Sequence, residues 1–151
     1  MVKIRSLEEY LHAHIPLSKA MGVKAIEASI NSVKLSAPLS PNINHRETVF
    51  GGSASAVAIL SAWSLLYLRL KNENINSRIV IQRSTMIYER PITDMFTASS
   101  GVPEPSDWFK FLATLKRKHR ARVKVNSILH CNNEKVGEFE GDFVALYTQT
   151  A

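Results

Sequence analysis

Cysteine is almost missing from this chain. Cys131 stands alone, which excludes an internal disulfide and suits a reducing compartment. Glycine and proline are sparse too, six of each, and no repeat, low-complexity tract or interdomain linker breaks the sequence. One domain over residues 1–151 is expected, long enough to bury a proper core. The segment Met1 to Pro16 carries Glu8 and Glu9 and has no apolar centre, so a signal peptide is not expected and a cytoplasmic location is. The most informative absence is acid. No Asp or Glu occurs from Thr48 through Lys71, so that whole segment can offer no carboxylate base.

What is present fits a soluble globular protein, with 45% hydrophobic and 21% charged residues. The net charge of +6 suggests an acidic partner or a phosphorylated ligand, without choosing between them. Ser6 followed by Glu9 matches a capping box and predicts a helix from Leu7 to about His14, which Pro16 ends or redirects. Ile26, Ala28 and Ile30, then Val33, Leu35 and Ala37, alternate with polar neighbours and predict a hairpin turning at Asn31-Ser32. From Ser53 to Leu70 apolar residues cover every face of a predicted helix, which must therefore be buried on most sides. A membrane span of that length is the competing reading, and the strand-like flanks argue against it.

Two strands follow, "SRIVIQRSTMIYERP" and "MFTASSGV". A short helix is predicted over Ser106–Lys116, with Trp108, Phe109, Leu112 and Leu115 on one side. In the first of two long final strands Ala121, Val123, Val125 and Leu129 alternate with Arg120, Arg122, Lys124 and Ile128. In the second, Phe139, Phe143 and Ala145 alternate with acids and Val144, beyond a turn at Asn132-Asn133. The order predicts an α+β fold in which an antiparallel β-sheet wraps a long central helix. A single sheet layer cannot enclose an all-apolar helix, so a second subunit is expected on its other side.

The stretch "SPNINHRETVFGGS" is where chemistry is expected. Gly51 and Gly52 open the long helix, where unpaired N–H groups and the positive dipole end can stabilise a negative oxygen. The same glycines also fit a helix start packed closely on a strand. Asn42 reads as a turn former and His45 as an exposed loop residue. Lys116, Arg117, Lys118, His119, Arg120, Arg122 and Lys124 form the densest basic run. It suits the phosphates of coenzyme A or the acidic helix of a carrier protein, and equally a solvated face. Nucleic-acid binding is not expected, because no exposed aromatics interleave the cations.

The phrase "PLSPNINHRETVFGGS", with "AWSLLYLRL" and "IVIQRSTMIYERPIT" behind it, resembles the hot-dog thioesterase superfamily over nearly the whole chain. More narrowly it resembles the YiiD C-terminal-domain family, some of whose members decarboxylate malonyl-acyl-carrier protein. The resemblance implies a hot-dog homodimer, with dimers of dimers as an option, and a site beside the central helix N-terminus and the partner subunit. It implies an acyl thioester substrate on acyl carrier protein or coenzyme A, with no cofactor beyond the phosphopantetheine that arrives with it, no metal and no membrane. By motif position Asn44 corresponds to the asparagine implicated in catalysis. Gly51 and Gly52 join it as catalytic candidates. Phe50, Ser84, Lys118 and Arg120 are the substrate-binding candidates. Two positions stand out against the pattern: Arg83, where many relatives carry a carboxylate, and His45, at a variable position; hot-dog hydrolases with a histidine-glycine pair carry their histidine where this chain has Phe50.

Hydrolysis of a thioester needs an activated water. Here only Glu47, or a water held by Ser84, Ser61 or Ser64, is on offer. Decarboxylation of a malonyl thioester needs an oriented carboxylate, an apolar surround and a stabilised enolate oxygen. The inventory of asparagine, helix amides and apolar Phe50, Ala54 and Ala58 fits the second reaction better. Thioester hydrolysis and non-catalytic acyl binding are the alternatives.

Overall fold

A computed structural model describes residues 4–148 of the chain; the expected domain bounds run beyond it at both ends. Helix α1 spans Ile4–His14 and buries Leu7 and Leu11. It begins before Ser6, so the expected capping box is not formed. Arg5 instead pairs with Glu9 one turn on, at 2.9 Å, and Glu8 accepts a hydrogen bond from the Ala25 amide at 2.9 Å. Pro16 redirects rather than ends, opening the short helix α2, Pro16–Ala20, as its first residue.

Strands β1 (Lys24–Ala28) and β2 (Ser32–Ala37) form the expected hairpin, turned by Ser29, whose Oγ accepts from the amides of Asn31 and Ser32. The buried face of β1 differs from expectation. A bulge between Ala25 and Glu27 shifts the phase, so Ala25 and Ala28 point inward and Ile26 is left exposed.

Helix α3 occupies Gly51–Asn72. Strands β3 (Ser77–Tyr88) and β4 (Phe96–Gly101), helix α4 (Pro105–Lys118), and strands β5 (Arg120–Cys131) and β6 (Glu134–Tyr147) complete the chain. The six strands make one antiparallel sheet in the order β1-β2-β4-β5-β6-β3. Ala121, Val123, Val125 and Leu129 turn one face of β5 inward as expected, and Ser127 is buried on the same face. The β5–β6 turn rests on Asn132 and Asn133, both left-handed at φ 51° and 64°, the geometry of a two-residue hairpin. In α4 the buried stripe is Trp108, Phe111, Leu112 and Leu115, while Phe109 is 70% exposed. The spacing i, i+3, i+4, i+7 selects Phe111 over Phe109. This helix lies beside the part of β5, residues 120–126, that short β4 leaves unpaired.

The core lies between the sheet and α3. Val57, Ala58, Ala62 and Leu65 are fully enclosed there. The helix is long and apolar enough to cross a membrane, but its buried face is spent on the sheet. It is not covered all round: Gly52, Ala56, Ile59, Trp63 and Tyr67 form a stripe that stays partly open. Tyr10 of α1 stacks on Tyr67, and Tyr67 on Trp63, with centroids 4.6 and 5.2 Å apart. At the far end Arg69 reaches the Ile30 carbonyl and lies over the Trp108 ring, 4.4 Å from its centroid. Burial there pulls its guanidinium pKa down.

Candidate active site

The loop between β2 and α3 is built by two asparagines. Asn42 is 2% exposed, and its Nδ2 donates to the carbonyls of Met21 and Pro38 at 2.9 and 2.7 Å. Its own backbone carbonyl accepts from the Phe50 amide at 2.7 Å, closing the loop on itself. Asn42 is therefore more than the expected turn former: it ties the loop to the corner ahead of β1. Its Oδ1 has no partner among the described residues.

Inside that closure Ile43 bridges Val49, and Asn44 knits the tip. Its Oδ1 accepts from the amides of Arg46 and Thr48 at 2.8 and 3.1 Å, and its Nδ2 donates to Thr48 Oγ1 at 2.9 Å. Both oxygen lone pairs are thus used locally, and one Nδ2 hydrogen is left without a partner among the described residues. His45, Arg46 and Glu47 are exposed at the tip. Glu47 sits in the left-handed region at φ 63°, and its amide donates to the Asn44 carbonyl at 3.3 Å. Past the single Ile43–Val49 bridge and the bond between the Asn42 carbonyl and the Phe50 amide, the chain enters α3.

The helix start has no side-chain cap. The Phe50 carbonyl accepts from the amides of Ser53 and Ala54 at 2.9 and 3.1 Å, while the amides of Gly51 and Gly52 find no acceptor in the described residues. Phe50, 58% exposed, folds its ring over Gly52, where an added Cβ would lie 2.3 Å from it. Tyr88 covers the other glycine: its hydroxyl donates to the Gly51 carbonyl at 2.9 Å. Two unpaired amides therefore sit at the positive end of a 22-residue helix, on glycines that the exposed rings of Phe50 and Tyr88 flank.

Ser84 lies on β3 opposite Gly141, on the same side of the strand as Met86 and Tyr88. Lys118 and Arg120 are elsewhere. Arg120 is level with Leu146 and Arg78, and Tyr88 lies ten residues farther along β3, about 33 Å away at a strand rise of roughly 3.3 Å. The chain therefore does not bring its densest basic run to its own helix N-terminus, because the run opens the strand end farthest from it. Two concavities of about 550 Å³ each also lie elsewhere; one is lined by Lys34, Asp94 and His130, the other by Arg83, Lys110 and Asp142.

Sequence reasoning missed Tyr88 and a buried hydroxyl chain. Ser61 Oγ lies 2.9 Å from Ser100 Oγ, Ser100 Oγ lies 2.7 Å from Ser127 Oγ, and Ser127 donates to the Ala58 carbonyl at 2.8 Å. The available signal was phase: Ser127 falls between Val125 and Leu129 on the buried alternation of β5. Tyr88 carried no signal, since only the fold brings the end of β3 to the start of α3.

A family model described as "Putative thioesterase (yiiD_Cterm)" matches residues 4–147. Among solved structures, a protein of unknown function from Chlorobaculum tepidum TLS is 26% identical with a TM-score of 0.89, covering 95% of this chain and 94% of that one. A Shewanella oneidensis protein, described as a "putative thioesterase", is 27% identical with a TM-score of 0.85, over 95% and 96% of the two chains. A Haemophilus influenzae thioesterase, only 10% identical, shares the fold at a TM-score of 0.78 over 99% and 94%.

Proposed function

The chain belongs to the YiiD C-terminal thioesterase family of the hot-dog superfamily, and from that premise we propose that it decarboxylates a malonyl thioester to the acetyl thioester. The observation that carries this reading is the helix start: two unpaired amides between Phe50 and Tyr88, in a helix with no acid on it. The remaining Nδ2 hydrogen of Asn44 orients the malonyl carboxylate. The rings of Phe50 and Tyr88 thin the water around it, which favours loss of charge as carbon dioxide leaves. The electron pair of the breaking C–C bond moves into the thioester carbonyl, and the Gly51 and Gly52 amides hold the enolate oxygen. Water returns a proton to the carbon. No step needs a base.

Hydrolysis is the second reading, favoured by the thioesterase description of the family. It needs a base, and Glu47 is the nearest acid in sequence to the helix start. Its exposed, left-handed place at the loop tip supports decarboxylation over hydrolysis.

The proposal extends to a homodimer and to substrate delivered on acyl carrier protein or coenzyme A. The free edge of β3, with Val80, Ile81, Ile87 and Tyr88 exposed, and the open stripe of α3 support a second copy. Arg78, Lys118 and Arg120, none with an ion-pair partner among the described residues, support an anionic carrier or phosphate.

Mass analysis of malonyl-carrier incubated with the protein tests the reaction. Acetyl-carrier is the expected product, and free malonate would overturn decarboxylation in favour of hydrolysis. Glu47→Gln sharpens the choice. It should leave decarboxylation within about twofold, whereas loss of a general base lowers hydrolysis by about 10²-fold or more.

A further inference from the structure

Tyr88 is the last residue of β3, and its position is set from outside the loop. Its strand partner is Gly137, where a Cβ would lie 2.8 Å from the Ile87 carbonyl oxygen, so only glycine lets the two strands approach this closely. Just beyond, the amides of Glu89 and Arg90 both donate to the Val136 carbonyl at 2.9 and 3.1 Å. The end of β3 is therefore anchored to β6, not to the loop or to α3. From that anchor the phenol reaches across to the first carbonyl of the helix. It remains 55% exposed, so burial does not explain the contact.

The bonded carbonyl belongs to the peptide that carries the Gly52 N–H. A donor on the oxygen end of a peptide draws electron density along it and makes its N–H a stronger donor. It also fixes the peptide plane, which matters at a helix start with no side-chain cap. We propose that Tyr88 is a positioning residue of the thioester site: its hydroxyl orients and polarises the Gly51–Gly52 peptide so that the Gly52 amide is preset for the developing oxyanion. This rests on the decarboxylase reading and deepens it: the Tyr88 ring borders the substrate, while its hydroxyl acts through the amide. A preset donor contributes most where negative charge is greatest, so its effect belongs in kcat.

Tyr88→Phe keeps the ring against Gly51 and removes only the hydroxyl. The expected result with malonyl-carrier is a kcat about three- to tenfold lower, as loss of one neutral hydrogen bond gives, with KM within about twofold. The ligand-free Gly52 amide proton should move upfield in the same variant, a readout independent of turnover. A kcat within about twofold of wild type, whatever the amide shift, overturns the role of Tyr88 and leaves the decarboxylase reading standing. A raised KM with unchanged kcat also overturns it, since the ring would then be a binding wall only. No turnover by the wild-type protein defeats the decarboxylase reading and this inference with it.

Discussion

Asn44 holds the loop and still has a donor to spare. Its Oδ1 binds the amides of Arg46 and Thr48, and one Nδ2 hydrogen goes to Thr48, so the second Nδ2 hydrogen is left for the role proposed above. Asn44→Asp keeps the two acceptor bonds and removes every donor, leaving a charge that repels a malonyl carboxylate. Turnover should fall on the order of a hundredfold, as removal of one oxyanion-type donor does, with the melting temperature close to wild type. A variant that keeps most of its turnover would leave Asn44 as a loop organiser alone. At Gly52 the constraint is different. An added Cβ meets the ring of Phe50, an exposed side chain, so a substitution there disturbs the aromatic frame more than the helix.

At the scale of elements, the seam between α3 and the sheet is apolar except for its serines. Ser127 donates to the Ala58 carbonyl, which leaves Ser100 to donate to Ser127. Ser61 in turn lies within hydrogen-bond reach of the Val33 and Ala98 carbonyls. The hydroxyls thus pin the middle of α3 to β2, β4 and β5. Ser64 is equally buried, and its hydroxyl has no partner among the described residues. The two serines should therefore respond oppositely to the same change. Ser127→Ala should cost about 1–2 kcal/mol by leaving buried partners unsatisfied. Ser64→Ala should be neutral or slightly stabilising, because it removes a hydroxyl that is buried at a cost. Urea denaturation of both variants checks the contrast, and equal losses would refute it.

For the whole molecule, the two edges of the sheet are unequal. Strand β1 is five residues long, bulged, and carries Lys24 and Glu27, all features that discourage edge pairing. Strand β3 is twelve residues long with an open edge and exposed Val80, Ile81 and Ile87, which invites it. The open stripe of α3 lies beside that edge, with Trp63 Nε1 donating to the Ile79 carbonyl at 3.0 Å. A second copy on β3 would extend the sheet and cover the stripe together. Sedimentation should show a dimer for the wild type and a monomer for Val80→Lys with Ile87→Lys, the circular dichroism of the two matching. A monomeric wild type would defeat the dimer.

The periodicities were legible in the sequence because they follow from geometry within one element. The inward alternation of β5 needs only the two-residue repeat of a strand, and the Gly51 helix start needs only an apolar run with its opening glycines. The family resemblance was legible through the loop phrase, and the family match bears it out. Phase within an element was less secure: the β1 bulge exposed Ile26, and the α4 stripe took Phe111 in place of Phe109. Contacts between elements could not be read at all. Tyr88 meets Gly51 across 37 positions of chain, and Ser127 meets Ala58 across 69, because β6 carries β3 to the helix start and the sheet closes under α3. The chain alone determined which residues could hold negative charge. The tertiary structure decided which peptide meets the Tyr88 hydroxyl, and separated Lys118 and Arg120 from it, because distance along a sheet is set by strand register and not by sequence.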